Sequence, residues 1–373
     1  MKIGIDFHFA EQPGSGNCTY IRNLVDALLD LDNDNEYVLY VTDSGYPYYQ
    51  KFADARGVSI RTLAGKDAPR RLLSLGLKTY QDRTDILHVQ YVAPPFFRGK
   101  LVVTIHDICY LRYPEYFSFG KRIYLKHLVP RALKKSHQII AVSDFSRQEI
   151  IRAYRVAEEK THITPEAAPR QFIPDTNLQE QQVLLDRLGI KPKYLLFVGR
   201  LDVRKNISAL ISAFALLKRT KSIPHQLVIT GRRDFLPGPL QEQICLENIV
   251  PHVVFTGFVP EELLPRLYAQ AEVFVYPSFY EGFGLPVLEA MASGCPVIAS
   301  NTSSLPEIAG EAALLVDPRQ PERLAQAIWT VISDGSLRER LRRKGLEQAR
   351  KFTWSRTAET TMSAYKKAVQ ASA

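Results

Sequence analysis

Cysteine is scarce: there are four in 373 residues, Cys18, Cys109, Cys245 and Cys295, and no two form a Cys-x-x-Cys pair. That spacing argues against a disulfide framework or a thiolate zinc site and points to a reducing compartment, where an isolated cysteine is a small buried residue. No apolar run approaches the ~20 residues that span a bilayer. The opening MKIGIDFHFA has no long apolar stretch of a secretory leader and reads as a strand, so the expectation is a soluble, cytoplasmic protein. Short repeats and low-complexity tracts are missing. So is any basic-aromatic platform for nucleic acid, and no nucleic-acid partner is expected. A complete Gly-x-Gly-x-x-Gly fingerprint is missing too, because Thr19 stands where its last glycine would be, and no acid is placed for a ribose after the second strand.

What is present is an ordinary globular composition, with 46% hydrophobic and 23% charged residues. The length exceeds what one core usually serves, so two domains are expected. The formal net charge is +9, which favours anionic partners. Much of it lies in KDAPRRLLSLGLKTYQDR and GKRIYLKHLVPRALKK. The second stretch mixes cations with Ile123, Tyr124, Leu125, Leu128 and Leu133, and reads either as a helix lying on anionic lipid or as a solvated helix with a normal core stripe.

Apolar runs alternate with helical patterns. KIGID, YVLYV, DILHV, LVVTI and QIIAV read as strands, and Ile21, Leu24, Val25 and Leu28 form a helical stripe. The series restarts with YLLFV, QLVIT, VVFT, VFVYP, PVIA and ALLV. Such alternation predicts an α/β protein with two Rossmann-like, doubly wound domains facing across a cleft. The expected boundaries are 1–170 for a first domain, 171–190 for a polar, proline-bearing linker region and 191–350 for a second domain. Residues 351–373 form a last helix that either continues the second domain or packs back on the first.

Three stretches carry chemistry. Gly14 and Gly16 follow the first strand, where glycine lets a phosphate or sugar approach a helix N-terminus; a flexible turn explains them equally well. Arg200 and Lys205, in FVGRLDVRKN, stand between a strand end and a helix start, the ligand edge of a doubly wound sheet, where two cations suit a pyrophosphate. In YEGFGLPVLEA, Glu281 lies just past a strand. Gly282 and Gly284 make the turn after it, Pro286 suits the first turn of a new helix, and Glu289 lies about one turn inside that helix. Carboxylates beside phosphate repel it, so their useful targets are hydroxyls, and the ligand implied is a nucleotide sugar. The Asp-x-Asp spellings at Asp30, Asp32 and Asp34 fall where a helix ends, away from the ligand edge, and read as turn acids.

These motifs resemble the retaining glycosyltransferases of family four, which have the GT-B fold. EGFGLPVLEA matches the E-x7-E motif, FVGRLDVRKN the phosphate-binding motif, AVSDFSRQEI the first-domain Val-Ser-x-x-Ser stretch and TIHDICY the loop of the active-site histidine. The resemblance implies that Arg200 and Lys205 neutralise the donor pyrophosphate and that Glu289 binds the ribose. Glu281 would hold hydroxyls of the transferred sugar, with backbone N–H groups of Phe283, Gly284 and Leu285. Gly16 would admit the phosphate and acceptor, and His106 would contact the donor sugar. His88 is a weaker candidate, with a core role as the alternative. The resemblance also implies a reaction without metal or other cofactor. The donor is a nucleotide sugar, with GDP-mannose favoured over UDP-linked sugars, and the acceptor is a glycan or lipid-linked saccharide. The family's Pro-Asn-Gly-Val-Asp stretch is replaced by ITPEAAPRQF, which leaves Glu166 without an assigned role. A nucleotide-sugar 2-epimerase and a non-catalytic nucleotide-sugar binder remain as alternatives.

Overall fold

The computed structural model describes residues 1–52, 55–65, 67–174, 177–231 and 238–371. It divides into two compact units, Met1–Glu166 with Thr353–Ala373, and Ala167–Phe352.

The first unit holds a seven-stranded sheet. Its strands are β1 (Lys2–Asp6), β2 (Glu36–Val41), β3 (Val58–Thr62), β4 (Ile86–Gln90), β5 (Lys100–Ile105), β6 (Gln138–Ala141) and β7 (Thr161–Ile163). All neighbours are parallel, in the order β3-β2-β1-β4-β5-β6-β7. The strand order reverses between β1 and β4, and in such a sheet ligands bind at the carboxyl ends beside that reversal. The five apolar runs of the sequence are all strands. β3 and β7 carry no such signal because they are edge strands without a buried apolar face. The helix Trp354–Gln370 belongs to this unit and buries Trp354, Met362 and Tyr365 against the helix Gly16–Leu31 and strands β5 and β6.

The second unit repeats the plan with six strands: β8 (Tyr194–Val198), β9 (Gln226–Thr230), β10 (Val253–Gly257), β11 (Val273–Tyr276), β12 (Val297–Ser300) and β13 (Ala313–Val316). They are parallel in the order β10-β9-β8-β11-β12-β13, so the reversal lies between β8 and β11. The stripe Ile207, Leu210, Ile211, Phe214 and Leu217 is wholly in the core of this unit.

One boundary differs from expectation. Residues 171–190 are not a free linker: most of them lie in the helix Leu178–Leu188, which is part of the second unit. Asn177 caps its start by accepting from the Glu180 N–H, and Gly189 ends it at φ +69°. Leu184, Leu185 and Ile190 join the core, which anchors the segment despite its glutamine-rich surface. Residues 175 and 176 of that stretch, and Lys66 of the first basic stretch, lie outside the described residues.

Candidate active site

At the reversal of the second sheet, the turn after β8 and the loop after β11 bring three charged side chains together. Lys205 Nζ lies 2.6 Å from Glu281 Oε1, and Arg204 Nη1 lies 2.9 Å from Glu281 Oε2. Ser278 donates to Oε1, and Lys205 also reaches the Tyr276 hydroxyl. Glu281 and Lys205 are both buried. Burial alone would raise the Glu281 carboxyl, but Arg204, Lys205 and Ser278 together outweigh it and hold the group at about 2. Burial, with the Arg204 charge beside it, lowers the Lys205 ammonium against the pull of Glu281.

Neighbouring groups fix the loop that carries Glu281. Ser303 accepts from the Glu281 N–H at 3.0 Å, and Ser304 donates to the carbonyls of Glu281 and Phe283 at 3.0 and 2.7 Å. Arg204 donates to the Tyr280 carbonyl, and its own carbonyl accepts from Phe279 N–H. Gly284 sits at φ +112°, and a Cβ there would meet Leu305 Cδ2 at 2.6 Å, so the turn itself requires glycine. The helix Leu285–Ala292 begins at once, with Pro286 in its first turn and no side-chain cap. Pro286 has no N–H, the Val287 and Leu288 N–H groups donate to the Gly284 carbonyl, and the Leu285 amide stands at the helix's positive end. Phe283 and Leu285 are buried, Phe283 edge-on to Phe352 at 5.9 Å. Glu289 is buried on the same helix and accepts from the Tyr268 hydroxyl at 3.1 Å.

The cations are arranged differently from the sequence expectation. Lys205 does not open the helix: it closes a 3-10 turn, and Asn206, at φ +53°, precedes the helix Ile207–Lys221. Lys205 is turned onto Glu281, whereas the Arg200 guanidinium is 60% exposed and 3.8 Å from Asp202. Arg204, which the sequence reading leaves unassigned between Arg200 and Lys205, is the second partner of Glu281.

The first unit holds the histidines. His106, just past β5, is buried with Nδ1 3.1 Å from Glu166 Oε1 and Nε2 2.8 Å from Gln90 Oε1. The Tyr20 ring meets it edge-on at 4.7 Å. The Val-Ser-x-x-Ser stretch has a local purpose: Ser143 caps the helix Asp144–Tyr154, and Ser146 donates to the His106 carbonyl at 2.8 Å. Glu166, unassigned from the sequence, is thus a ring partner of His106. His88 is a core histidine, with Nδ1 2.7 Å from the Tyr365 hydroxyl and Nε2 2.7 Å from the Thr104 hydroxyl. Burial, with His106 nearby, pushes it down to about 3. Gly16 begins the helix Gly16–Leu31, and a Cβ there would meet nothing within 4 Å, so the protein's own packing does not require glycine. A further pair at the end of β1 has no counterpart in the sequence reading: Asp6 and His8 are both buried, 2.6 Å apart. Asp32 closes the turn after the first helix by accepting from Asn35 and Tyr37. Among the described residues no cluster of three or more His, Cys, Asp or Glu could hold a metal ion.

Comparison with known proteins decides the family. A model described as glycosyl transferases group 1 matches residues 184–348, and one described as glycosyltransferase family 4 matches residues 16–169. An Escherichia coli protein named O-antigen chain mannosyltransferase B is 36% identical over 298 residues, which cover 80% of this chain and 77% of that protein. The chain belongs to the family four glycosyltransferases. The Escherichia coli serotype-specific mannosyltransferase WbdA is 28% identical over 285 residues, 73% of this chain but 34% of that longer protein. The solved sucrose-phosphate synthase of Thermosynechococcus elongatus matches with a TM-score of 0.80 at 23% identity, over 100% of both chains, which gives the fold as GT-B.

Proposed function

We propose that this glycosyltransferase is a retaining hexosyltransferase that moves mannose from GDP-mannose to a glycan or lipid-linked saccharide in surface-polysaccharide synthesis. The names of its relatives support the sugar and the setting. The observation that carries the chemistry is the buried Glu281 carboxylate, held ionised at the β8/β11 reversal by Arg204 and Lys205.

In this reading Glu281 is a fixed acceptor for sugar hydroxyls. An ionised carboxylate has about four acceptor sites. Lys205, Ser278 and Arg204 use three of them and the Tyr276 hydroxyl also bonds the carboxylate, so a hydroxyl of the transferred sugar takes the place of one of these donors. Glu289 takes the ribose hydroxyls. Lys205 has a third N–H for a phosphate oxygen, and the exposed Arg200 fork reaches the same diphosphate. As the sugar–phosphate bond lengthens, negative charge builds on the departing diphosphate. The cations and the positive end of the helix Leu285–Ala292 are preorganised to meet it. The acceptor hydroxyl attacks from the face the diphosphate leaves, and its proton passes to the departing phosphate, so no protein nucleophile is needed. The charge role is assigned to side-chain cations, and metal-independent transfer is part of the proposal. His106, clamped by Gln90 and Glu166, gives up one of these bonds to contact the sugar. The reaction would take place in the cytoplasm.

The test is the anomeric configuration of the product made from GDP-mannose and a mannoside acceptor, read by NMR. Retention gives an α-mannoside. A β-linked product, or no transfer from GDP-mannose alongside transfer from a UDP-sugar, would overturn the mechanism or the donor respectively.

A further inference from the structure

The two ring partners of His106 come from opposite directions along the first sheet. His106 follows β5. Gln90 closes β4, the neighbouring strand on the side of the β1/β4 reversal. Glu166 comes shortly after β7, the edge strand two places away on the other side. Ligands bind beside the reversal of such a sheet, so Gln90 stands on the ligand side of the ring and Glu166 behind it.

The two contacts differ in kind. Glu166 is 3% exposed, and no Lys or Arg pairs with it among the described residues. Its charged partner is His106, with Nδ1 at 3.1 Å. An ionised carboxylate only accepts, so it calls for the proton on Nδ1. Breaking this contact leaves a buried charge without its partner, the costlier of the two losses. Gln90 is neutral. It is 3% exposed too, and its Oε1 lies 2.8 Å from His106 Nε2. Its own Nε2 is buried with no hydrogen-bond partner among the described residues. Buried polar groups are nearly always paired, and these unused N–H groups call for an oxygen from outside the chain.

The backbone on both sides of the ring is held in place. Tyr91, next to Gln90, is at φ +64°, where a bulky residue is an outlier. Its ring centroid lies 5.8 Å from that of His106. Strain of this kind persists where the surroundings over-determine it, and it gathers at ligand sites. Behind the ring, the Thr164 N–H donates to the Ala141 carbonyl at 2.8 Å, and the Thr357 hydroxyl to the Pro165 carbonyl at 2.6 Å. Glu166 is therefore carried on a segment tethered at two points.

We propose that Gln90 binds a hydroxyl of the transferred sugar together with His106, and that Glu166 is the positioning residue that keeps Nδ1 and so presents Nε2. The sugar hydroxyl takes Nε2 as its partner in place of Gln90 Oε1, and its oxygen accepts from the unused Gln90 N–H. The bond that His106 gives up is the one to Gln90, and the bond to Glu166 stays. This assignment rests on the reading of the site as one that transfers a sugar, and it adds a residue that recognises that sugar.

The test uses Gln90→Leu, Glu166→Ala and Glu166→Gln. Gln90→Leu keeps the volume and removes the amide. It should weaken GDP-mannose about tenfold in calorimetry and leave GDP, which has no hexose, unchanged. Glu166→Ala should lower kcat about tenfold or more with GDP affinity unchanged. Glu166→Gln, whose Oε1 still accepts from Nδ1–H, should recover most of that loss. Proton–nitrogen spectra of the imidazoles, with His106→Asn to identify the signals, read the ring without any donor. They should place a proton on His106 Nδ1 in the parent, Gln90→Leu and Glu166→Gln, and show it displaced in Glu166→Ala. Equal weakening of GDP and GDP-mannose by Gln90→Leu would make Gln90 a packing residue and overturn its role. An unchanged Nδ1 signal in Glu166→Ala, or no recovery in Glu166→Gln, would overturn the role of Glu166. A parent that binds a UDP-sugar and not GDP-mannose removes the donor proposal alone, and the comparison is then made between UDP and that sugar nucleotide.

Discussion

In the second unit the carboxyl edge of the sheet holds an ion-paired cluster, buried Glu281 and Lys205 with half-buried Arg204. In the first unit that edge holds imidazoles: His8 on Asp6, His88 between two hydroxyls, and His106 between Glu166 and Gln90. The sheets share a strand plan and a reversal point, yet one edge gathers a carboxylate between two cations and the other gathers imidazoles with carboxylate, amide and hydroxyl partners. The fold supplies the position, and the side chains after the strand ends supply the chemistry.

The sharpest way to break this comparison is Glu281→Ala. It removes the acceptor for sugar hydroxyls and leaves Lys205 and Arg204 without their buried partner. Transfer should fall by about 10²–10³ or more, as when a preorganised polar contact to the reacting group is lost. Losing one member of a buried ion pair also costs about 3–5 kcal/mol in the usual case, so the melting temperature should drop. GDP should still bind, because a diphosphate gives the two cations a new counterion. Calorimetry and steady-state rates on one preparation check this. Equal, small losses in rate and in GDP affinity would refute the role of Glu281.

Acid should act on the two units in different pH windows. His88 is held at about 3 in the folded chain, below the ordinary 6.5, so between those values the unfolded chain binds the extra proton. Stability therefore falls as pH drops from about 6.5 towards 3, by at most about 1.4 kcal/mol per pH unit for one group. Glu281 is depressed to about 2, so its contribution is complete above the ordinary carboxylate range and is lost only as pH falls from about 4.5 towards 2. Hydrogen exchange at pH 7 and pH 5, corrected for intrinsic rates, should show protection lost in β4 and β5 and kept in β8 and β11. His88→Gln should flatten the first change. Parallel loss in both units, or an unchanged profile in His88→Gln, would contradict the assignment.

How far the sequence can be read divides along the same line. The second-unit strands are short apolar runs and all six are legible: β8, β9, β11 and β12 are buried on both faces and show no polar alternation, and the edge strands β10 and β13 keep an apolar spelling although only partly buried. β3 and β7 lack that signal at the sheet edges. The Leu178–Leu188 helix reads as linker because its buried residues are few among glutamines, although Asn177 and Gly189 mark its ends. Glu281 and Lys205 are legible from their place after strand ends, and Glu289 from its place in the helix that follows the glycine turn. Their contacts are not: Ser303 and Ser304 support the Glu281 loop from some twenty residues away, and Glu166 reaches His106 across sixty. Such partnerships are made by tertiary packing and leave no local pattern. Arg204 is visible but ambiguous, since three cations in six residues cannot be ranked without knowing which side chain turns inward.

The central claim is that the β8/β11 edge binds a nucleoside diphosphate through Lys205 without a metal. Its most direct test is calorimetric titration of the parent chain and Lys205→Ala with GDP, UDP and ADP, each with and without EDTA. The account predicts that GDP binds most tightly, that EDTA changes nothing and that Lys205→Ala weakens GDP at least tenfold. Binding of none of the three, binding abolished by EDTA, or equal affinity in Lys205→Ala would contradict it.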